Sequence, residues 1–125
     1  MSTLPEDPDK SASIIRERIL ELARISVAVI ISDTFGRPWR TGTTNVAIGV
    51  AGIHPLKDYR GEIDPYGFTI KVTQASVADE IAGASGLVSE KMNQVPASVL
   101  RNVSYFESSD RISLLFRDRE TDFFR

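Results

Sequence analysis

The run "SVAVIIS", Ser26 to Ser32, limits the fold more than any other stretch of the sequence. Its β-branched residues follow one another too continuously to alternate between a wet and a dry face, so it reads as a strand covered on both sides. A chain of 125 residues is long enough to build one hydrophobic core around such a strand, but not two. Hydrophobic residues at 42% and charged residues at 26% are those of a globular protein. The net charge of −2 gives no general attraction to nucleic acid or acidic membranes, so neither is expected as a partner.

The other elements follow from pattern. "LPEDPDK" reads as an extended lead-in, residues 1–10, with Asp9 and Ser11 as N-cap candidates, and residues 11–125 are expected to form one domain. In "SASIIRERILELARI" the residues Ile15, Ile19, Leu22 and Ala23 fall on one helical stripe. "TNVAIGVAGI", Thr44 to Ile53, reads as a second strand whose Gly49 and Gly52 mark a bulge or a close backbone approach. A turn-rich loop from His54 to Gly67 should lead to an alternating strand, Phe68 to Thr73, with Phe68, Ile70 and Val72 on one face. A second helix is expected around Val77, Ile81, Ala84 and Val88, with Thr73 as its cap and Gly83 and Gly86 allowing close packing. "PASVLRNVSYF" and "RISLLFR" look like two more strands, and "DRETDFFR" like a short helix or tail. The expected class is α+β, a mixed sheet with two main helices.

The stretch "ISDTFGRPWRTG", Ile31 to Gly42, should begin where the first strand ends. Asp33 and Thr34 offer a carboxylate and a hydroxyl, hard oxygen donors suited to Mg²⁺ or Mn²⁺, or else Asp33 caps a turn. Arg37 and Arg40 flank Pro38-Trp39 on a stiffened loop and suit carboxylate or phosphate oxygens, or else Arg40 stacks on Trp39. "SEKMNQVP", Ser89 to Pro96, supplies an acid, a base and two amides after the second helix, for a nucleotide or simply for water. Asp79 and Glu80 read as first-turn carboxylates of a helix. The sequence has no cysteine, which excludes disulfides and thiolate metal sites, and its one histidine, His54, reads as loop structure. With no apolar signal core and no stretch of roughly 18 apolar residues, a cytoplasmic location is expected.

The wording of the sequence carries more than its pattern. "VIISDTFGRPWRTGTTNVAIGVAGIHPLKDYRGEIDPYG", then "TQASVADEIAGASGLV" and "VPASVLRN", closely resembles the coenzyme F420-0:γ-glutamyl ligase family, in particular its C-terminal half. The resemblance implies a ligase that uses GTP and Mn²⁺ or Mg²⁺ to join L-glutamate to coenzyme F420-0. The acceptor carboxylate is activated as an acyl phosphate, which the glutamate amine then displaces. It also implies a homodimer of α+β fold. Carried onto this chain, Asp33 and Thr34 are metal ligands, with Glu90 as a further oxygen donor. Ser89, Glu90, Lys91, Met92, Asn93, Gln94, Val95 and Pro96 form the nucleotide-contacting loop. Arg37 and Arg40 are assigned, on physical grounds, to anionic substrate groups.

Two departures stand out. The family usually has Met-Gly followed by Lys or Glu where this chain reads Ser89-Glu90-Lys91, and it prefers Gly where this chain has Asn102. Loss of the first glycine changes how closely backbone can approach phosphate. Full-length ligases of the family are about twice as long, and their N-terminal half brings further nucleotide and metal contacts. The leading expectation is therefore a GTP- and metal-dependent ligase domain of coenzyme F420 biosynthesis, completed by a second copy or by a separate N-terminal half. The alternative is a non-catalytic ligase-like domain that dimerises or binds an anionic ligand or a partner.

Overall fold

A computed structural model describes residues 3–90 and 92–122. Helix α1, Pro8–Ala23, opens the fold. Its N-cap is Asp7, in extended conformation, whose carboxylate accepts from the Lys10 N–H at 3.0 Å. Pro8 takes the first helical position, where its fixed φ suits the helix and its missing N–H costs nothing. The caps expected at Asp9 and Ser11 are thus corrected, and the extended lead-in ends at Asp7 rather than at residue 10. The helix ends at Arg24, left-handed at φ 60, with its N–H closing on the Leu20 carbonyl at 2.9 Å.

Strands β1, Val29–Gly36, and β2, Thr43–Ala51, form an antiparallel hairpin. Ile31 stands opposite Gly49 and Ser32 opposite Ala47, so Ile48 is an extra residue on β2. The bulge expected near Gly49 is present. At Gly49 a side chain would also lie 2.4 Å from the Pro8 carbonyl carbon, so α1 approaches the sheet at a residue with no Cβ. Two expectations for β1 are corrected. The strand does not stop at Ser32 but carries Asp33 and Thr34 inside it, because the ladder with β2 continues to Gly36. It is also not covered on both faces: Val29 to Ile31 are half-buried and the rest is exposed.

Strand β3, Leu56–Asp58, pairs antiparallel with β4, Gln74–Ser76. The strand expected over Phe68 to Thr73 is instead the irregular return limb of this hairpin, held by bonds such as Gly61 N–H to Ile70 O and Ile70 N–H to Glu62 O, both 2.8 Å. Phe68 and Val72 are exposed, so no packed face drives regular alternation there. Helix α2, Val77–Ser89, follows directly, with Ser76 rather than Thr73 as its cap. Beyond it, the expected strands at Pro96–Phe106 and Arg111–Arg117 do not form. Residues 97–110 lack regular structure, and Ile112–Leu115 and Arg119–Thr121 are short 3₁₀ turns. The α+β class holds, with two small antiparallel sheets in place of one mixed sheet.

Both helices pack on β2, and the core is a short cluster of aliphatic residues: Ala47, Val50, Ile53, Ala78 and Ile112, with Ile30, Val77 and Ile81 against them. The apolar stripe of α1 is rotated from expectation. Asp9 and Ala12 face inward, whereas Ile15, Leu20 and Leu22 are exposed. Two helix carboxylates fix β2. The Val50 N–H donates to buried Asp9 at 2.8 Å, and the Ala47 N–H donates to Asp79 at 2.9 Å. Asp9 also accepts from the Ile112 N–H at 3.2 Å, tying the C-terminal segment to the start of the chain.

Candidate functional site

A groove of about 450 Å³ lies where the far end of the β1–β2 hairpin meets the last turns of α2. One wall is Ser32, Asp33 and Thr34 of β1 with Thr43, Thr44 and Asn45 of β2. The other is the stretch Gly83 to Glu90, closed by Val95 and Pro96 from the following loop. The two walls meet closely at Gly86, where a Cβ would stand 2.9 Å from the Asn45 amide nitrogen. That bears out the expected close packing at Gly86. At Gly83 the corresponding distance to Thr44 Oγ1 is an ordinary 3.7 Å.

Asp33, Thr34, Ser89, Glu90, Val95 and Pro96, more than fifty residues apart in the chain, therefore share one groove. Of the same loop, Met92 is exposed and lies outside the lining, as do Asn93 and Gln94. The Asn93 amide donates to Glu90 at 3.1 Å, and Lys91 lies outside the described residues. The main chain of Asp33 belongs to the ladder with β2, and its carboxylate makes no hydrogen bond or ion pair with another described residue. Consecutive strand residues send their side chains to opposite faces, so Asp33 and Thr34 do not converge as a two-oxygen pair on an ideal strand. Thr34 shares its cross-strand position with Asn45, and Asp33 with Val46.

Arg37 and Arg40 are placed differently. They lie on the turn between β1 and β2, where the Arg40 N–H reaches the Arg37 carbonyl at 3.5 Å, and neither lines the groove. Trp39 between them is left-handed, at φ 57. The described groove wall carries two carboxylates, a row of hydroxyls and an amide, and no cationic side chain. Its donors are hard oxygens, which suit Mg²⁺ or Mn²⁺. Among the described residues there is nonetheless no group of three acidic or histidine side chains close enough to hold a metal by itself.

The sequence reading missed Asn45 and the hydroxyls of Thr43, Thr44 and Ser85. The run "TGTTN" was the available signal, a polar cluster ahead of the apolar half of β2. His54 was read as structural, and its Nδ1 meets the Asp110 carboxylate at 2.5 Å while its N–H donates to Phe106 O at 2.8 Å. Ser108 and His54 together hold the Asp110 carboxyl below the usual carboxylate range.

The two positions that depart from the family pattern have a common backbone feature. Glu90 has φ 37 and Asn102 has φ 60, both in the left-handed half of backbone space that favours glycine. Asn tolerates such a conformation, whereas Glu at φ 37 and ψ 145 is strained. At Glu90 the strain falls on a residue of the groove wall.

A family model for F420-0:Gamma-glutamyl ligase matches residues 1–102. A coenzyme F420:L-glutamate ligase of Methanothermobacter thermautotrophicus is 44% identical over 125 residues, 98% of this chain and 50% of that protein. Proteins of the same name from Methanococcus maripaludis and Methanopyrus kandleri are 41% and 40% identical, again over 98% of this chain and 50% of their own length. The chain thus spans about half the length of the curated relatives it matches. No helix among the described residues is long and apolar enough to cross a membrane.

Proposed function

The chain belongs to the F420-0:γ-glutamyl ligase family, and we propose that it contributes the Asp33 side of a GTP- and metal-dependent site adding L-glutamate to coenzyme F420-0. The carrying observation is that Asp33, Thr34 and Glu90 line one hydroxyl-rich groove although they come from β1 and from the end of α2. Two carboxylates and no cation on the described wall would repel a nucleotide triphosphate. A divalent ion reverses that sign, and when bound it supplies neutralisation of phosphate charge.

In this reading the Asp33 carboxylate would hold Mg²⁺ or Mn²⁺, with Glu90 as the further oxygen donor across the groove; Thr34, on the alternate face of β1, lines the groove without converging on the same ion. Ser89 and the loop through Pro96 orient the nucleotide. Arg37 and Arg40, on the hairpin turn and outside the groove lining, would meet the carboxylates of glutamate and of the acceptor. A hexacoordinate ion needs more oxygens than these, so the site is completed from outside the described residues, by the remaining ligase sequence or a second copy.

A second reading, a non-catalytic ligase-like domain that dimerises or binds an anion or a partner, is favoured by one observation. Glu90, where the family pattern has glycine, stands in a strained left-handed conformation on the groove wall. The two separate in one experiment: titration of Mn²⁺ with and without GTP, alongside GTP-dependent addition of glutamate to coenzyme F420-0, by the chain alone and mixed with the other half of a ligase. Asp33→Asn should abolish GTP-assisted Mn²⁺ binding. Unchanged binding in that variant refutes the site, and binding without turnover in any mixture favours the non-catalytic reading.

A further inference from the structure

The β1–β2 sheet has one closed edge and one open edge. On β2, the N–H groups of Ala47 and Val50 are taken by Asp79 of α2 and Asp9 of α1. On β1, no main-chain group on the side away from β2 has a hydrogen-bond partner among the described residues from Val29 to Gly36. The extra residue, Ile48, lies on β2, so β1 keeps a regular edge. Its sequence "VIISDTFG" carries no Pro, Lys or Arg, the residues that usually blunt such an edge, and Asp33 is its one charge.

Two further observations say that surface of this chain, the faces of β1 included, is covered in the assembled protein. The unbroken apolar run from Val27 to Ile31 has the composition of a strand covered on both faces, yet Val29 to Ile31 remain half-exposed. The chain also exposes 10132 Å². A compact protein of its 13.8 kDa mass exposes roughly 6,600 Å². The excess, roughly 3,500 Å², is more than the roughly 1,000–2,500 Å² that one partner contributes to a typical obligate interface.

Resting on the reading of this chain as about half of a ligase, we infer that β1 is an interior strand of a larger sheet. Its open edge is paired by a β-strand from the sequence that the matched relatives carry beyond the half aligned here, whether joined to this chain or separate. That sequence is as long again as this chain, which is the scale needed to cover the excess surface. A second copy of β1 fits less well. Self-pairing about a two-fold axis would bring two copies of Asp33 onto one short ladder, beside a groove wall that already holds two carboxylates and no cation.

The test is amide hydrogen exchange by NMR on the isotope-labelled chain, alone and mixed with the unmatched half of the Methanothermobacter thermautotrophicus ligase. On mixing, alternate amides between Val29 and Gly36 should slow by about tenfold or more, the effect of one added main-chain bond. A complex that forms without protection of β1 overturns the inference and leaves the half-ligase reading standing, since glutamate addition is assayed in the same mixture. Protection already present in the chain alone, rising with its own concentration, puts a second copy on the edge and overturns the assigned occupant. Absence of any complex also overturns it.

Discussion

Asp9→Ala tests how the chain holds its two ends and its central strand together. One oxygen of Asp9, Oδ1, accepts from the Val50 N–H at 2.8 Å and from the Ile112 N–H at 3.2 Å. The other, Oδ2, faces Arg111 Nε at 3.2 Å, and the side chain is only 9% exposed. Alanine removes the acceptor for two main-chain donors at once, in a place where water does not readily replace it. A hydrogen bond to a charged acceptor contributes about 1.5–3 kcal/mol, so the expected loss is roughly 3–5 kcal/mol. That is a large share of the ~5–15 kcal/mol that holds a domain together. Asp9→Asn discriminates, because an amide oxygen can still accept both N–H groups, although its NH₂ then sets one donor against another at the Arg111 guanidinium. It should cost only ~1–2 kcal/mol. The assay is urea unfolding of the three proteins followed by circular dichroism, compared at equal slope. An Asp9→Ala variant within about 1 kcal/mol of the parent, or an Asn variant as unstable as the Ala one, refutes the argument.

Gly49→Ala should destabilise by roughly 2–3 kcal/mol, because its Cβ meets Pro8 backbone rather than a side chain that can rotate away; unfolding in urea reads this directly. Glu90→Gly should stabilise by about 1 kcal/mol, the relief of a left-handed Glu less the entropy of glycine, seen as a rise in melting temperature. For acid behaviour, the Lys10 N–H and Arg111 hold the Asp7 carboxyl below its ordinary value of 3.8. A carboxyl with a depressed folded pKa contributes stability above its unfolded pKa and loses it as pH falls through the folded one. The melting-temperature gap between the parent and Asp7→Asn should therefore be constant near neutrality and shrink below about pH 4. A gap that does not change with pH refutes that linkage.

What the sequence made legible follows from how local each signal is. Helices α1 and α2 and strand β2 are found where pattern placed them, since helical spacing and an apolar strand are readable within one window. The cap of α1 was misplaced by two to four residues because two prolines and three acids compete in "PEDPDKS". The deciding fact is that Pro8 suits the first helical position, which leaves Asp7 as the cap. The expected strands that do not form have a different cause. A pattern says that Phe68–Thr73 or Pro96–Phe106 would suit a sheet, but a strand exists only where an edge is offered to it. Here the β2 edge is occupied by Asp9 and Asp79, and neither segment pairs with the open edge of β1.

The candidate site shows the same division. The string "SDTFGRPWR" and the loop after α2 both stand out in the sequence, yet nothing in either segment says that the two face each other across one groove. That juxtaposition is made by β2, whose Asn45 packs against Gly86 and so brings α2 up to the hairpin end. A glycine allows the approach and an amide fills it, and both lie outside the residues singled out for chemistry. The arginines demonstrate the converse. Arg37 and Arg40 were grouped with Asp33 because they are near it in sequence, but the ladder carries β1 on to Gly36 and so sets the turn that bears them beyond the groove. Closeness along a strand separates residues by about 3.3 Å each, whereas closeness across the hairpin or onto α2 is what builds a wall. Under the proposed function, positive charge for the phosphates of a nucleotide would have to come from a bound cation or from sequence outside the described residues, since the described groove wall offers none.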